Sequence, residues 1–338
     1  MKKKIRVVQF GVGPIGASIA RLMRQKPSLE IVGAVDKDPA KAGRDLGEVA
    51  GASDRPWGIT IFPDISVALE KSAVDVVVHT TSSYLADVTD ELLECVSAGC
   101  CVVSTCEELS YPFRKYPQLS GKLDAAAKEE GIALVATGVN PGFVMDKLVL
   151  TLSATAQRVD WVRATRIVDA SQRRLPLQKK IGAGMPDDEV RKQVAAGKIK
   201  HHGLPESIAM VADGLGFALD DISETIEPIL AEERVKTEFL EVFPGQVAGV
   251  HQIARGTWAG QERICMELQM YVGAKQPSDT VELRGEPNLS MTIPGGVHGD
   301  LATAAIAVNA IPAILQAPAG LRTVRDLPLA FFPPVPIA

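Results

Sequence analysis

Two adjacent carboxylates, Glu107 and Glu108, follow the short apolar run Val102–Thr105 and are the strongest candidates for chemistry in this sequence. Because adjacent residues on an extended or turning chain point in different directions, we expect one of them to face a pocket. A partly desolvated carboxylate there could accept a proton or stabilise a cationic intermediate. Alternatively, both acids only favour the start of a helix through its dipole.

A glycine-rich turn, Gly11-Val12-Gly13-Pro14-Ile15-Gly16, follows the first apolar run and opens a helical segment. Gly11 allows a tight turn, Gly13 lets a pyrophosphate approach the backbone, and Gly16 lets helix and strand pack closely. Pro14 and Ile15 lie at the helix start, where free N–H groups favour an anion. The pattern predicts a dinucleotide-binding loop, although an ordinary strand-to-helix turn has a similar composition.

An acidic residue, Asp36, closes the second apolar run and strengthens that prediction. A carboxylate at this distance from the glycines can accept hydrogen bonds from the ribose hydroxyls of NAD. It would repel the 2′-phosphate of NADP, but the neighbouring Lys37 could bind one. We therefore predict NAD or NADP as cofactor, with both usable. The alternative for Asp36 is a cap near Pro39.

Hydroxyl-rich residues follow the fourth apolar run, at the edge where open α/β sheets bind ligands. We expect His79, Thr80 and Thr81 to line the cofactor groove, although the hydroxyls of this stretch could equally cap the next helix. Cys106, between the fifth run and the two glutamates, is expected at the same groove. Asn140 follows the sixth run and could bond the nicotinamide carboxamide, but a simple turn also explains its sequence.

Three further residues are candidates for the substrate pocket. Phe143 could form a wall, and His202 and His298 invite attention, as does His201 beside His202. No metal-ligand spacing emerges among the histidines, so we expect no metal. A structural role near a helix start is the better interpretation for His298.

Short β-branched runs alternate with helical stretches from Ile5 to about Thr137, which predicts an α/β fold with a doubly wound parallel sheet of the Rossmann type. Several runs are continuously apolar, as expected for strands covered on both faces. The predicted strands are Ile5–Phe10, Leu29–Asp36, Gly58–Phe62, Asp75–Thr80, Cys100–Thr105 and Ile132–Thr137.

The second half alternates apolar and polar residues over longer runs, which predicts an α+β domain with a mixed or antiparallel sheet. A charge-rich stretch, Pro186–Leu230, is predicted to be helical. We place the cofactor domain at residues 1–142 and the substrate and dimerisation domain at 143–338. The last buried helix, at about 300–315, could pack back on the first domain, and the proline-rich end 331–338 is not helical.

Charge and composition exclude several functions. The formal net charge of −5 gives no general attraction for nucleic acid. No apolar run reaches the roughly 20 residues that span a bilayer, and we identify no export signal. The five cysteines form no CxxC pair, which favours a reducing cytoplasm.

Taken together, the motifs resemble the dihydrodipicolinate reductase superfamily, and more closely its branch of 2,4-diaminopentanoate dehydrogenases and native amine dehydrogenases. The resemblance covers nearly the whole chain. In true dihydrodipicolinate reductases a lysine follows the His-His pair, whereas Pro205 occupies that position here, so that activity is doubtful. The motifs are Gly11–Gly16, Gly43–Gly51, Cys106–Pro112, Gly138–Asp146, His202–Ser207 and Gly296–Thr303.

The resemblance implies an NAD(P)-dependent oxidoreductase that reversibly aminates a ketone or aldehyde with ammonia. An iminium ion would accept the hydride, and a glutamate of the Cys-Glu-Glu-Leu motif would act on it; we favour Glu108 over Glu107. The resemblance also implies a homodimer formed through the second domain. The alternatives are an amino acid dehydrogenase acting on 2,4-diaminopentanoate, and a dinucleotide-binding sensor without catalysis.

Overall fold

The computed structural model describes residues 4–51 and 55–329, which fold as two compact units. The first unit comprises the described residues up to Phe143 together with those from His298 onward, and the second comprises Val144–Val297. The predicted non-helical end at 331–338 lies outside the described residues.

The elements follow one another in a regular order. The first unit begins with β1 (Ile5–Phe10), α1 (Pro14–Arg24), β2 (Leu29–Val35), α2 (Leu46–Val49), β3 (Ile61–Phe62), α3 (Ile65–Lys71), β4 (Val76–His79), α4 (Leu85–Ser97), β5 (Cys101–Ser104), a 3-10 turn (Glu107–Ser110), α5 (Pro117–Glu129) and β6 (Ala133–Ala136). The second unit contains α6 (Lys147–Ser153), β7 (Arg158–Asp169), α7 (Leu175–Lys180), α8 (Asp187–Ala195), α9 (Leu204–Leu215), β8 (Asp221–Leu230), β9 (Val235–Lys236), β10 (Glu241–Val242), β11 (Val247–Trp258), β12 (Gln261–Tyr271), β13 (Ser278–Glu286) and β14 (Leu289–Pro294). The chain returns to the first unit with α10 (Gly299–Ile314) and β15 (Gly320–Arg322).

The first unit is built on a seven-stranded parallel sheet with the order β15-β6-β5-β4-β1-β2-β3. Strands β4, β5 and β6 consist entirely of buried residues, because helices connect the parallel strands and cover them. The predicted doubly wound sheet is confirmed. Strand β15, which pairs with β6, was not predicted. It has three residues, and a run that short gives no recognisable pattern in the sequence.

Helix α10 packs against α1 and β5, within the first unit. Its buried residues include Ala307 and Ile311, and Pro312 lies near its end. Helix α10 is strongly apolar but has only 16 residues. Among the described residues, no helix is both long enough and apolar enough to cross a membrane.

The second unit is built on a six-stranded sheet with the order β14-β13-β7-β12-β11-β8. Strands β7 and β12 pair in parallel and the other neighbours are antiparallel, so the sheet is mixed. Along β7, Val162 and Ala164 are buried whereas Trp161 and Arg163 are half-buried. This alternation has the period of two expected for a strand with one face in a core, and the predicted α+β domain is confirmed.

One secondary-structure prediction was wrong. The stretch Pro186–Leu230, predicted to be helical, contains α8 and α9 but ends in strand β8. Ile222, Ile226 and the residues between them alternate half-buried and exposed side chains, which is a strand pattern. High charge content masked this period, because charged residues are common in helices and also on the exposed face of a sheet.

Candidate active site

The glycine loop connects β1 to α1 by a turn that tolerates few other residues. Gly11 has φ +87°, and a Cβ there would lie 2.7 Å from the Thr80 carbonyl oxygen. On Gly16 a Cβ would lie 2.0 Å from the Gly11 carbonyl oxygen, so this position allows helix and strand to approach. In contrast, the space beside Gly13 is open, and no side chain caps the helix start. The loop thus leaves its helix N-terminus accessible for an anion.

Asp36 lies directly beside this loop. Its carboxylate accepts hydrogen bonds from Val12 N at 2.8 Å, Asp38 N at 3.0 Å and Lys41 Nζ at 2.9 Å. Burial alone would raise the pKa of Asp36, but the Lys41 ammonium and the two backbone N–H groups lower it below its ordinary value. Asp36, which directly follows β2, is therefore a fixed, ionised carboxylate beside the glycine loop.

The residues at the end of β4 and directly after it make internal contacts. The Thr80 hydroxyl donates to the Gly11 carbonyl oxygen at 2.8 Å, which holds β4 against the glycine loop. The His79 ring is fully buried between Ser104 Oγ and Glu91 Oε2, each at 3.0 Å, so it supports the groove from inside rather than lining it. The exposed Thr81 donates to the same Glu91 oxygen at 2.7 Å.

Glu91 joins these residues to Lys37. The Lys37 ammonium lies 2.8 Å from Glu91 Oε1. Burial would raise the pKa of Glu91, but hydrogen bonds with His79, Lys37 and Thr81 lower it to about 2. Lys37 is thus directed to helix α4, although its side chain remains 67% exposed.

The two candidate glutamates differ in surroundings. Glu108 is 2% exposed, and its carboxylate accepts hydrogen bonds from Leu85 N at 2.8 Å and Lys115 Nζ at 2.6 Å. Burial would raise its pKa, but Lys115, Leu85 N and Tyr116 lower it. Glu108 therefore ties the 3-10 turn to the start of α4.

Glu107 is half-buried and lines a small cavity of about 40 Å³ at the carboxyl ends of β5 and β6. Thr137, Asn140 and Thr303 of helix α10 line the same cavity. Asn140 is 6% exposed, and neither atom of its amide group has a hydrogen-bond partner among the described residues. Because buried amides are normally hydrogen-bonded, this group is suited to a ligand.

Cys106 also lines this cavity but is chemically quiet. Its thiol donates to the Ser83 carbonyl oxygen at 3.4 Å, and its N–H donates to Ser104 Oγ at 3.0 Å. Burial raises the pKa of the Cys106 thiol to about 12. A thiol that stays protonated is a poor nucleophile, so its contribution is to the shape of the pocket.

The remaining candidates are dispersed. The exposed His298 caps α10, where its Nδ1 accepts a bond from Leu301 N at 3.4 Å. Phe143 is half-buried at the end of the first unit, and His202 is half-buried in the second, before α9. Across residues 4–51 and 55–329, no three His, Cys, Asp or Glu side chains gather in a way that could hold a metal ion.

The second unit brings together two of the sequence motifs. Asp146, at the start of α6, accepts a hydrogen bond from Ser207 Oγ at 2.8 Å, and both side chains are fully buried. Burial, chiefly, together with the nearby cations Lys180 and Arg166, lowers the pKa of His201 to about 3. His201 is therefore neutral near pH 7.

The sequence matches known families over most of its length. Residues 143–332 match the 2,4-diaminopentanoate dehydrogenase C-terminal domain, and residues 5–105 match the N-terminal domain of dihydrodipicolinate reductase. The 2,4-diaminopentanoate dehydrogenase of Acetoanaerobium sticklandii is 30% identical over 333 residues, which cover 97% of this chain and 94% of that protein. The chain belongs to the 2,4-diaminopentanoate dehydrogenase family.

Two amine dehydrogenases are similar to this chain over nearly their whole length. The amine dehydrogenase of Streptomyces virginiae is 29% identical over 353 residues, with 96% of each chain covered. The structure of an amine dehydrogenase from Mycobacterium smegmatis superimposes with a TM-score of 0.85 at 28% identity, with 98% of each chain covered. The predicted resemblance to this branch is confirmed, and so is the predicted class, an oxidoreductase acting on CH–NH2 groups.

Two residues of this 2,4-diaminopentanoate dehydrogenase family member were missed from sequence. Thr303 reaches the cavity from α10, and its only signal was its place at the end of the Gly296–Thr303 motif. Lys41 contacts Asp36 from the loop after β2 and had no signal, because an isolated lysine in a charged loop is usually solvated.

Proposed function

We propose that this chain catalyses the reversible, NAD(P)H-dependent amination of a ketone or aldehyde with ammonia. Family membership supports the enzyme class. The observation that carries the proposal is the cavity at the ends of β5 and β6, where the Glu107 carboxylate and the Asn140 amide lie together. A carboxylate can accept a proton from an amine. The Asn140 amide, which has no hydrogen-bond partner among the described residues, can bond a carboxamide.

The residues at the sheet edge fit a nicotinamide dinucleotide. The N–H groups of the glycine loop would hold the pyrophosphate, Asp36 would accept the ribose hydroxyls, and Asn140 would bond the carboxamide. The fit rests on the open space beside Gly13 and on the buried amide of Asn140. When bound, the cofactor supplies the hydride.

We propose Glu107 as the catalytic carboxylate, which reverses the order favoured from sequence. Glu108 already accepts bonds from Leu85 N and Lys115 and does not line the cavity, so its use would break contacts that hold the turn. The Glu107 carboxylate can accept a proton from the nitrogen that attacks the carbonyl carbon and pass it to the former carbonyl oxygen, which leaves as water. The carboxylate is then ionised again and stabilises the positive iminium.

The second candidate function is an amino acid dehydrogenase. The name of the relative from Acetoanaerobium sticklandii, 2,4-diaminopentanoate dehydrogenase, favours it. An amino acid substrate would require a cationic partner for its carboxylate. A dinucleotide-binding sensor without catalysis is the third candidate, and the acid in the cavity counts against it.

Oxidation of NADH and NADPH, measured separately with ammonium and a series of carbonyl compounds, tests the proposal. We expect oxidation with simple cyclic ketones that depends on both ammonium and ketone. Oxidation only with an amino keto acid that amination would convert to 2,4-diaminopentanoate would favour the amino acid dehydrogenase. Bound dinucleotide with no oxidation across the series would favour the sensor and overturn the proposal.

We also propose that the chain is a cytoplasmic homodimer formed through the six-stranded sheet. On one face of this sheet Trp161, Ile167 and Ile253 are only half-buried within a single chain, as expected for residues that a partner covers. All five cysteines are free thiols, which suits a reducing compartment. Light scattering should give twice the chain mass, and substitution of Ile253 by Lys should yield monomers; a monomeric parent chain would exclude the dimer.

A further inference from the structure

The cation beside Asp36 is Lys41. Its Nζ lies 2.9 Å from Asp36 Oδ2 and 3.7 Å from Asp38 Oδ2, and its side chain is 25% exposed. Lys41 N donates to the Asp38 carbonyl oxygen at 2.9 Å, which fixes the loop that presents the side chain. The ammonium is therefore held next to the acid that we expect to meet the adenosine ribose.

Lys37, the lysine expected from sequence to meet a 2′-phosphate, points elsewhere. Consecutive residues of an extended chain project to opposite sides, so Asp36 turns towards Val12 while Lys37 turns towards Glu91. Glu91 is in turn fixed by Thr81, at 2.7 Å. The two lysines therefore have different partners. Lys41 contacts Asp36 beside the glycine loop, and Lys37 contacts Glu91 of helix α4.

We propose that Lys41 is the residue that determines whether the adenosine ribose site accepts a 2′-phosphate, and that it allows this enzyme to use NADP as well as NAD. This inference rests on the proposed function. An uncompensated Asp36 carboxylate would repel the phosphate and select the 2′-hydroxyl. With Lys41 beside it, the acid is neutralised for a phosphate and still offers lone pairs to hydroxyls.

Binding of NADPH and NADH to the full chain, measured by calorimetry in Lys41→Ala, Lys41→Arg and Lys37→Ala, tests this assignment. Loss of a charge-assisted bond should weaken NADPH binding to Lys41→Ala by about 10- to 100-fold relative to NADH. Lys41→Arg should keep most of the NADPH affinity, because the charge remains. Lys37→Ala should leave the ratio of the two affinities near that of the parent chain.

Asp36→Asn provides an independent measurement in the opposite direction. Removing the negative charge while keeping a polar side chain should shift the ratio towards NADPH, because Lys41 then keeps only the more distant Asp38 as a counter-charge. If Lys41→Ala weakens both cofactors equally, or if the NADPH-specific loss follows Lys37→Ala, the assignment is overturned. If the parent chain binds neither dinucleotide, the proposed function itself fails, so the two failures are distinguishable.

Discussion

The two sheets of this molecule distribute their polar residues differently. Strands β4, β5 and β6 of the parallel sheet are buried throughout, and the polar residues that we propose for binding and catalysis follow at the carboxyl ends of β5 and β6. In the six-stranded sheet, β7 and β12 carry charged residues along their length. In the first sheet, a polar residue at the carboxyl end of a strand is therefore a candidate for function. In the second sheet the position of a charged residue carries no such information, because charged side chains there also contact solvent and form ion pairs.

Separate replacement of the two glutamates by glutamine is the most sensitive test at the carboxyl edge of the first sheet. We expect Glu107→Gln to lower turnover by about 100- to 10,000-fold through loss of the proton acceptor, with cofactor binding retained. Glu108→Gln should instead lower the free energy of unfolding by about 1–3 kcal/mol, because Lys115 and Leu85 N lose a charged acceptor. Steady-state kinetics and urea unfolding of both variants give the answer. The reverse pattern would restore Glu108 as the catalytic residue.

In the second sheet a buried ion pair should be structural. Arg166 Nε lies 2.7 Å from Asp279 Oδ1, with side chains 4% and 1% exposed, and Asp279 also accepts a bond from Val297 N. Asp279→Ala leaves the guanidinium buried without its counter-charge, which should cost about 3–5 kcal/mol in urea unfolding. The matched control is Asp160→Ala, which breaks the exposed pair with Arg158 and should cost about 1 kcal/mol or less. Equal losses would contradict the distinction.

A pH-dependent contribution is expected from Glu91, which supports the first sheet. Its pKa is lowered from 4.5 to about 2 in the folded chain, so it stabilises the fold above pH 4.5 and loses this contribution as the pH falls towards 2. The full effect at neutral pH is about 3 kcal/mol at most. We expect the difference in unfolding free energy between the parent chain and Glu91→Gln to shrink by about 1 kcal/mol from pH 7 to pH 3.5. A difference independent of pH would exclude this linkage.

The sequence predicted the strands and candidate site residues of the first sheet more completely than those of the second, for physical reasons. Gly11 and Gly16 are required by the tight turn after β1, and Asp36 directly follows β2, so their spacing in the sequence locates them. The pairing of Lys41 with Asp36 depends on the path of a loop. The contact of Thr303 with the cavity depends on a helix that returns from far along the chain. Such contacts leave no periodic signal.

The two glutamates show the same limit at close range. Their spacing places both at the carboxyl edge of the sheet, but which one enters the cavity depends on the 3-10 turn and on Lys115. Strand β8 was missed because its alternation lies at the end of a charge-rich stretch. Period and charge content gave conflicting indications there, and only pairing with β11 decides between them.

The smallest effect on stability is expected at Asn140. Its amide atoms have no hydrogen-bond partner among the described residues, so Asn140→Ala removes no such bond and should change the free energy of unfolding by less than about 1 kcal/mol. The same variant should weaken binding of the dinucleotide by about 10-fold, because one bond to the carboxamide is lost. The control is Ser207→Ala, which removes a buried bond to Asp146 and should destabilise the fold by about 1–3 kcal/mol. A destabilised Asn140→Ala with unchanged cofactor affinity would make this residue structural and leave the cavity without its recognition group.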